Sequence, residues 1–306
     1  MRWQTQTLHS VLVALVIIAP VVRAQSSSPS TAALDGRPAS IPAEYLATPF
    51  GWFHPSCVIT VSEDDKIDAN GNIVRRSDNA LVRTPIHCQY PRYDREGTAF
   101  PAGGPPPTIN NWIVDGEANV GAMDFISANW TVPANPVNVT GQILYFFPGL
   151  MPTSPISSNE LLQPVLGWNQ IGTGPGWTIS SWRWSSITGL SMNSPLVAVS
   201  TGAQLYGYVW GNNCNMGTGV CQSWQILTSI AGGTQTTLNS DALSEPLLYS
   251  LGGVYEGYNI NYCNQHSPTQ TDDILEYLCE NRRECRCHSN LDCQLLESVA
   301  SVQRCF

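Results

Sequence analysis

Two polar side chains stand in rows that are otherwise apolar. In VYEGYNINY, residues 254–262, the two-residue period of a strand puts Val254, Glu256, Tyr258, Ile260 and Tyr262 on one side. A slip of one residue would instead turn Tyr255, Gly257, Asn259 and Asn261 inward, so the register is worth keeping. In LLQPVLGW, residues 161–168, Leu161, Gln163 and Val165 share a side in the same way. A carboxyl among apolar neighbours has a raised pKa and suits a general base. A primary amide donates and accepts together, which suits an oxygen on which charge develops. Glu256 and Gln163 converging on one water would form a hydrolytic site that needs no metal, cofactor, serine or cysteine nucleophile. Each residue also has a plainer reading: Gln163 as a glutamine bonding across its sheet, Glu256 on an edge strand where little is buried.

Other residues offer less. Arg183, flanked by Trp182 and Trp184, reads as a stacked surface arginine or as a substrate contact, with Trp168, Trp182 and Tyr258 as further candidates for contact. Asp124, Glu160, Asp241 and Glu245 read as solvated loop or turn residues. His54, Cys57, His87 and Cys88 invite a zinc reading. Adjacent His87 and Cys88 are poorly placed on one ion, and an exported chain favours a Cys57–Cys88 bridge. No metal is expected. Cys214 and Cys221 flank NMGTGV and should close a hairpin loop. The chain has no Gly-x-Ser-x-Gly, phosphate loop or zincin motif, and too few histidines outside its ends to favour a serine triad.

The elements that must hold Gln163 and Glu256 are short runs rich in Val, Ile, Trp, Tyr and Phe between clusters of Gly, Pro, Asn and Ser. Candidate strands are FISANWTV, GQILYFFPG, LLQPVLGW, GWTISSWRW, PLVAVST, AQLYGYVWG, QSWQILTSI and GGVYEGYNINYC. With no long 3.6-residue period among them, the pattern predicts an all-β, two-sheet antiparallel sandwich or jelly roll. That domain should run over 111–266. Before it, residues 25–110 form a small cysteine-containing region that carries much of the charge, ending in the linker FPAGGPPPT; the dibasic Arg75-Arg76 and this linker suggest a removable propeptide. After it, residues 267–306 form an irregular cysteine-rich tail.

Residues 1–24 read as a secretory signal: Arg2, an apolar run from Leu8 to Val22, then the small-x-small site Val22-Arg23-Ala24. No other segment approaches membrane length, so the mature protein is expected to be secreted, with no membrane contact after signal cleavage. The sequons at Asn129 and Asn138 and the even count of ten cysteines suit that route. The formal charge is −9, and losing Arg2 and Arg23 with the signal takes it two lower, to −11, which argues against nucleic acid as a partner. Between Gly121 and Gln270 the only Lys or Arg is Arg183, so few ion pairs are there to be lost on acidification. Tolerance of acid follows.

The order TVP (131–133), FFPGL (146–150), ELLQPVLGW, WTISSWRW, a Gly-Ala-Gln-Leu hairpin and a late glutamate strand resembles the glutamic peptidases of the eqolisin type. The resemblance runs over about residues 129–263. It implies a concanavalin A-like sandwich, acid-active endopeptidase chemistry on polypeptide substrates and no cofactor. Gln163 would stabilise the oxyanion and Glu256 would activate the water. The chain departs from the family pattern at Tyr-Phe-Phe-Pro-Gly before the glutamine strand and at Gly257, where the family has an aromatic. A monomer is expected. The rival is a non-catalytic sandwich that binds glycans or a surface, since eight tryptophans lie between Trp112 and Trp224 and aromatic faces stack on sugar rings. A glycosidase using two carboxylates is a weaker rival, because only Glu256 sits in an apolar row.

Overall fold

A computed structural model describes residues 37–84, 87–101, 112–153, 160–186, 188–215 and 217–267. The signal, most of the Pro/Gly linker and the cysteine-rich tail lie outside these residues. The N-terminal strands are β1 (Leu46–Thr48), β2 (Gly51–Phe53), β3 (Val58–Thr60), β4 (Asp65–Ile67), β5 (Ile73–Arg75), β6 (Leu81–Arg83), β7 (Arg92–Tyr93) and β8 (Ala99–Phe100). Then come β9 (Trp112–Met123), β10 (Phe125–Thr131), β11 (Ile143–Met151), β12 (Glu160–Trp168), β13 (Trp177–Ser185), β14 (Leu190–Asn193) and β15 (Val197–Val199). The last are β16 (Gln204–Asn212), β17 (Ser223–Ile230), β18 (Gln235–Asp241) and β19 (Leu247–Tyr258).

Two large sheets form the expected all-β sandwich. One has the order β3-β14-β13-β12-β11-β19-β9, with β15 beside β13; the other runs β10-β16-β17-β18-β4-β5-β6. The sheets face each other through alternate residues of β12 and β13. Ser181 on β13 bonds to Thr228 Oγ1 of β17 at 3.1 Å, and Arg183 Nη1 donates to Ser240 Oγ of β18 at 2.6 Å. By the same alternation Leu162, Leu166 and Trp168 point into the space between the sheets, and Trp168 meets Trp177 edge-on at 5.2 Å. Leu161, Gln163, Val165 and Trp182 therefore point out of the sandwich, through the other face of the first sheet.

The N-terminal region is woven into this frame. Strand β3 joins the first sheet parallel to β14, and β4 joins the second parallel to β18. These two joints are parallel, whereas the other strand pairings within the two large sheets are antiparallel. Ile59, Val61, Ile67 and Ile73 are buried in the shared core, and Lys66 pairs with Asp241 at 2.8 Å. The remaining strands make a third, four-stranded sheet, β1-β2-β7-β8. The sequence reading placed a boundary at residue 110; the structure draws strands from both sides of it into the same two sheets.

Both expected disulfides are formed: Cys57–Cys88 at 2.05 Å and Cys214–Cys221 at 1.94 Å. The sulfurs of the zinc reading are thereby committed to each other, and His54 stacks on Tyr90 with ring centroids 3.6 Å apart. Of the eight tryptophans from Trp112 to Trp224, six are buried and only Trp210 is exposed, so most serve the core.

Candidate active site

Gln163 and Glu256 are both fully buried, at 0% exposure. They belong to one sheet and one face of it, with β11 between their strands. Tyr145 pairs with Glu256 on one side and with Gly167 on the other. Phe146 pairs with Leu166 and Leu150 with Leu162, which sets Gln163 at the level of Gly149, whose partner on β19 is Leu251. Glu256 thus lies two strands across and four residues along from Gln163. At about 4.8 Å per strand and 3.3 Å per residue, their Cα atoms are roughly 16 Å apart on a flat sheet. The register brings the two onto one face of the sheet.

The row around Glu256 differs from the one read in the sequence. Val254, Glu256 and Tyr258 do share a face, but the strand ends at Tyr258 because Asn259 takes a left-handed conformation with φ 58°. Ile260 consequently folds back over the opposite face. A Cβ at Gly257 would sit 2.3 Å from Ile260 Cδ1 and 2.9 Å from Ile113 Cδ1. That packing explains why no aromatic follows Glu256 here.

Glu256 shares a short hydrogen bond with the phenol of Tyr258. The same phenol accepts the Gly51 N–H at 2.9 Å and lies 2.8 Å from the Thr48 carbonyl. The phenol has one proton and faces two acceptors, the Glu256 carboxyl and the Thr48 carbonyl.

Tyr145 completes the cluster. Its hydroxyl donates to the Ala47 carbonyl at 2.8 Å and receives the Ile171 N–H. Burial, then the neighbouring Glu256, push the phenols of Tyr145 and Tyr258 well above their ordinary range. A raised folded-state pKa contributes stability that is complete below the unfolded value of about 10 and lost as pH climbs beyond it. The contacts of this cluster with residues 47–51 therefore hold across the acid and neutral range and weaken in strong alkali.

The sequence reading did not single out Gln170, on the 3₁₀ turn Gln170–Gly172. Its side chain lies over Gly167, where a Cβ would meet Gln170 Cγ at 2.2 Å. The register places it nearer Glu256 than Gln163 is. Its amide is spent, donating to the Thr178 carbonyl at 2.7 Å and accepting from Ser180 Oγ at 2.8 Å and Trp182 Nε1 at 3.3 Å. Gln163 is the opposite case: among the described residues, neither its Nε2 nor its Oε1 has a hydrogen-bond partner.

Of the candidates for substrate contact, Trp182 and Tyr258 share the face of Gln163 and Glu256. Trp168 and Arg183 do not. Arg183 is neither stacked at the surface nor turned to that face: it clasps Glu160 between the sheets, Nε to Oε2 at 3.1 Å and Nη2 to Oε1 at 3.2 Å. Glu160 is correspondingly buried rather than solvated, and it also accepts from Ser185 Oγ at 2.7 Å.

The N-terminal sheet covers the candidate face. Phe50 meets Trp182 edge-on at 6.0 Å and lies 6.4 Å from Trp184, and Trp52 packs on Tyr258 at 5.6 Å. Between these anchors, the main chain at Ala47, Thr48 and Gly51 bonds to the two tyrosines as described. A stretch of polypeptide thus lies across the face that holds Glu256.

No family model matches the chain, and no curated protein is significantly similar to it. Solved structures are similar over about half of it. One is scytalido-glutamic peptidase bound to a peptide-based transition state analog, at 16% identity and a TM-score of 0.34 over 48% of this chain and 64% of that one. A second structure of that peptidase with a transition state analog inhibitor gives 14% identity and a TM-score of 0.35 over 50% and 65%. SCP-B, a member of the eqolisin family in complex with the tripeptide Ala-Ile-His, gives 14% and 0.33 over 48% and 63%. The likeness is remote, and each match spans less than two thirds of the peptidase's own length.

Proposed function

We propose that the chain is a secreted, acid-active hydrolase of the glutamic endopeptidase type, using Gln163 and Glu256, and that β1 and β2 hold it latent. The observation that carries the reading is the amide of Gln163. Leaving a buried amide without partners costs about 1–3 kcal/mol, and such groups call for a reason. An oxyanion that arrives only with substrate supplies one. Glu256 supports the reading as a buried carboxyl on the same face, held by the Tyr258 phenol.

In this account the covered form is inactive because polypeptide of the chain itself occupies the face. Displacing β1 and β2 admits solvent to Glu256 and opens the face to a substrate strand.

The test uses a loosened chain carrying Phe50→Ala and Gly51→Pro. The first removes the ring on Trp182. The second removes the N–H given to Tyr258 and forbids the φ of 112° found at Gly51. Neither touches Gln163 or Glu256. The folded loosened chain should digest a denatured protein between about pH 2 and 5, where a glutamate carboxyl titrates. Adding Glu256→Gln to the same chain should abolish the digestion. Digestion that survives Glu256→Gln removes that residue from the chemistry.

A further inference from the structure

The outer face of the second sheet, on the far side of the sandwich from Glu256, carries a second set of residues suited to a ligand. Alternation along β16 sends Tyr206, Tyr208 and Trp210 outward, and the register sets Phe125 of β10 directly beside Trp210. Phe125 and Trp210 are each 45% exposed, although the core absorbs most of the other aromatics. Three of the rings follow one another, Phe125 to Tyr208 at 6.3 Å and Tyr208 to Tyr206 at 5.9 Å, tilted 32° and 55°. Successive outward positions on one strand are about 7 Å apart, comparable to the length of a pyranose ring.

Beside the row lies a polar hollow of about 460 Å³ whose lining includes Trp210, Asn212, Gln222, Gln225, Asn239 and Asp241. Five of its twelve lining side chains are amides, and several of them bond to one another. Tyr208 donates to Gln225 Oε1, and Gln225 Nε2 donates to Asn239 Oδ1 at 3.2 Å. That leaves the buried Nδ2 of Asn239 without a partner among the described residues, at the end of a ladder running across three strands. The charges at the rim are largely engaged: Lys66 closes on Asp241 at 2.8 Å, and Arg76 Nη1 donates to the Glu63 carbonyl at 3.1 Å.

We infer that this face binds a soluble, uncharged polysaccharide of β-linked hexoses. Aromatic rings supply flat apolar surface for the C–H faces of the sugars, and amides both donate to and accept from hydroxyls. Engaged rim charges disfavour an ionic ligand. The rings are tilted to one another by 32° and 55°, so they do not make the flat platform that the surface of a crystalline polymer needs. The row ends at Tyr206, opposite the exposed Asn129 of the first sequon, so binding is measured on the parent and on Asn129→Gln, where no attached glycan can compete. The inference is independent of the hydrolase reading, because it uses the opposite sheet and none of its residues.

The experiment is affinity gel electrophoresis of the whole secreted chain in gels containing a mixed-linkage β-glucan, with crystalline cellulose pull-down alongside. The soluble glucan should retard the protein in at least the Asn129→Gln form, and crystalline cellulose should not bind it. Trp210→Ala should weaken the retardation roughly tenfold, as expected for loss of a central aromatic anchor, and Phe125→Ala by less. Glu256→Gln should leave it unchanged. Absence of retardation in both forms overturns the inference, as does retardation that Trp210→Ala leaves intact. Concentration-dependent self-association that Trp210→Ala abolishes, without glucan binding, assigns the face to a second copy of the chain and also overturns it.

Discussion

Arg183→Ala should lower the free energy of unfolding by about 3–5 kcal/mol, the usual cost of stranding one member of a buried ion pair. The arginine meets Glu160 through two parallel bonds and Ser240 through a third, all between the sheets. Removing the guanidinium takes both of its bonds from the buried Glu160 carboxylate, which also accepts from Ser185 Oγ. The double replacement Glu160→Leu with Arg183→Met should recover most of the loss, since a packed apolar pair avoids the desolvation cost of both charges. Chemical denaturation at neutral pH measures both. A loss under about 1 kcal/mol for Arg183→Ala would return the arginine to the surface role that its tryptophan neighbours suggested in the sequence.

Gln163→Met should stabilise the folded chain by about 1–2 kcal/mol and at the same time reduce the turnover of the loosened chain by about 100-fold or more. The two signs come from one cause. An apolar side chain of similar volume removes an amide that the covered form leaves without partners. On the proposed reading the same change removes the oxyanion donor, a loss that typically costs a factor of 100 to 1,000 in kcat. A glutamine that served only to bond across the sheet would show the reverse: Gln163→Met would destabilise and leave turnover alone. Denaturation midpoints and digestion rates on the same preparations separate the two cases.

How far the sequence led depends on whether a feature is local. Strands that alternate apolar with polar residues, such as 204–212 and 223–230, were legible because periodicity needs no partner. The polar QTTLNSD of β18, the four-residue β14 and the short strands before residue 101 were not, because their stability comes from neighbours far along the chain. Glu160 and Arg183 show the same limit. Neither has a local reason to be buried, and only the pairing of Leu162 with Arg183 across the β12–β13 hairpin brings the two charges together. The row through Glu256 was legible as far as Tyr258 and failed at Asn259, whose left-handed turn no alternation pattern announces. Cys214–Cys221 could be placed from its short spacing, and Cys57–Cys88 from the poor metal geometry of adjacent His87 and Cys88 in a chain read as exported.

The candidate site was legible in type and not in arrangement. A lone Glu and a lone Gln in apolar rows marked the face. That the face would be roofed by the chain's own residues 47–52, held by Tyr145 and Tyr258, depends on contacts across about 100 and 210 residues of sequence. The expectation of a separable N-terminal region changes accordingly. Complete removal of residues 25–110 would strip strands from both large sheets, so displacement of β1 and β2 is the smaller step that uncovers Glu256.

The most direct test of latency compares the parent with the Phe50→Ala, Gly51→Pro chain in digesting one denatured protein at about pH 4, near the titration of a glutamate carboxyl. Both must be shown folded at that pH by near-ultraviolet circular dichroism. The account predicts a loosened chain at least tenfold faster than its parent. Equal rates, or no digestion by a loosened chain that remains folded, would contradict it.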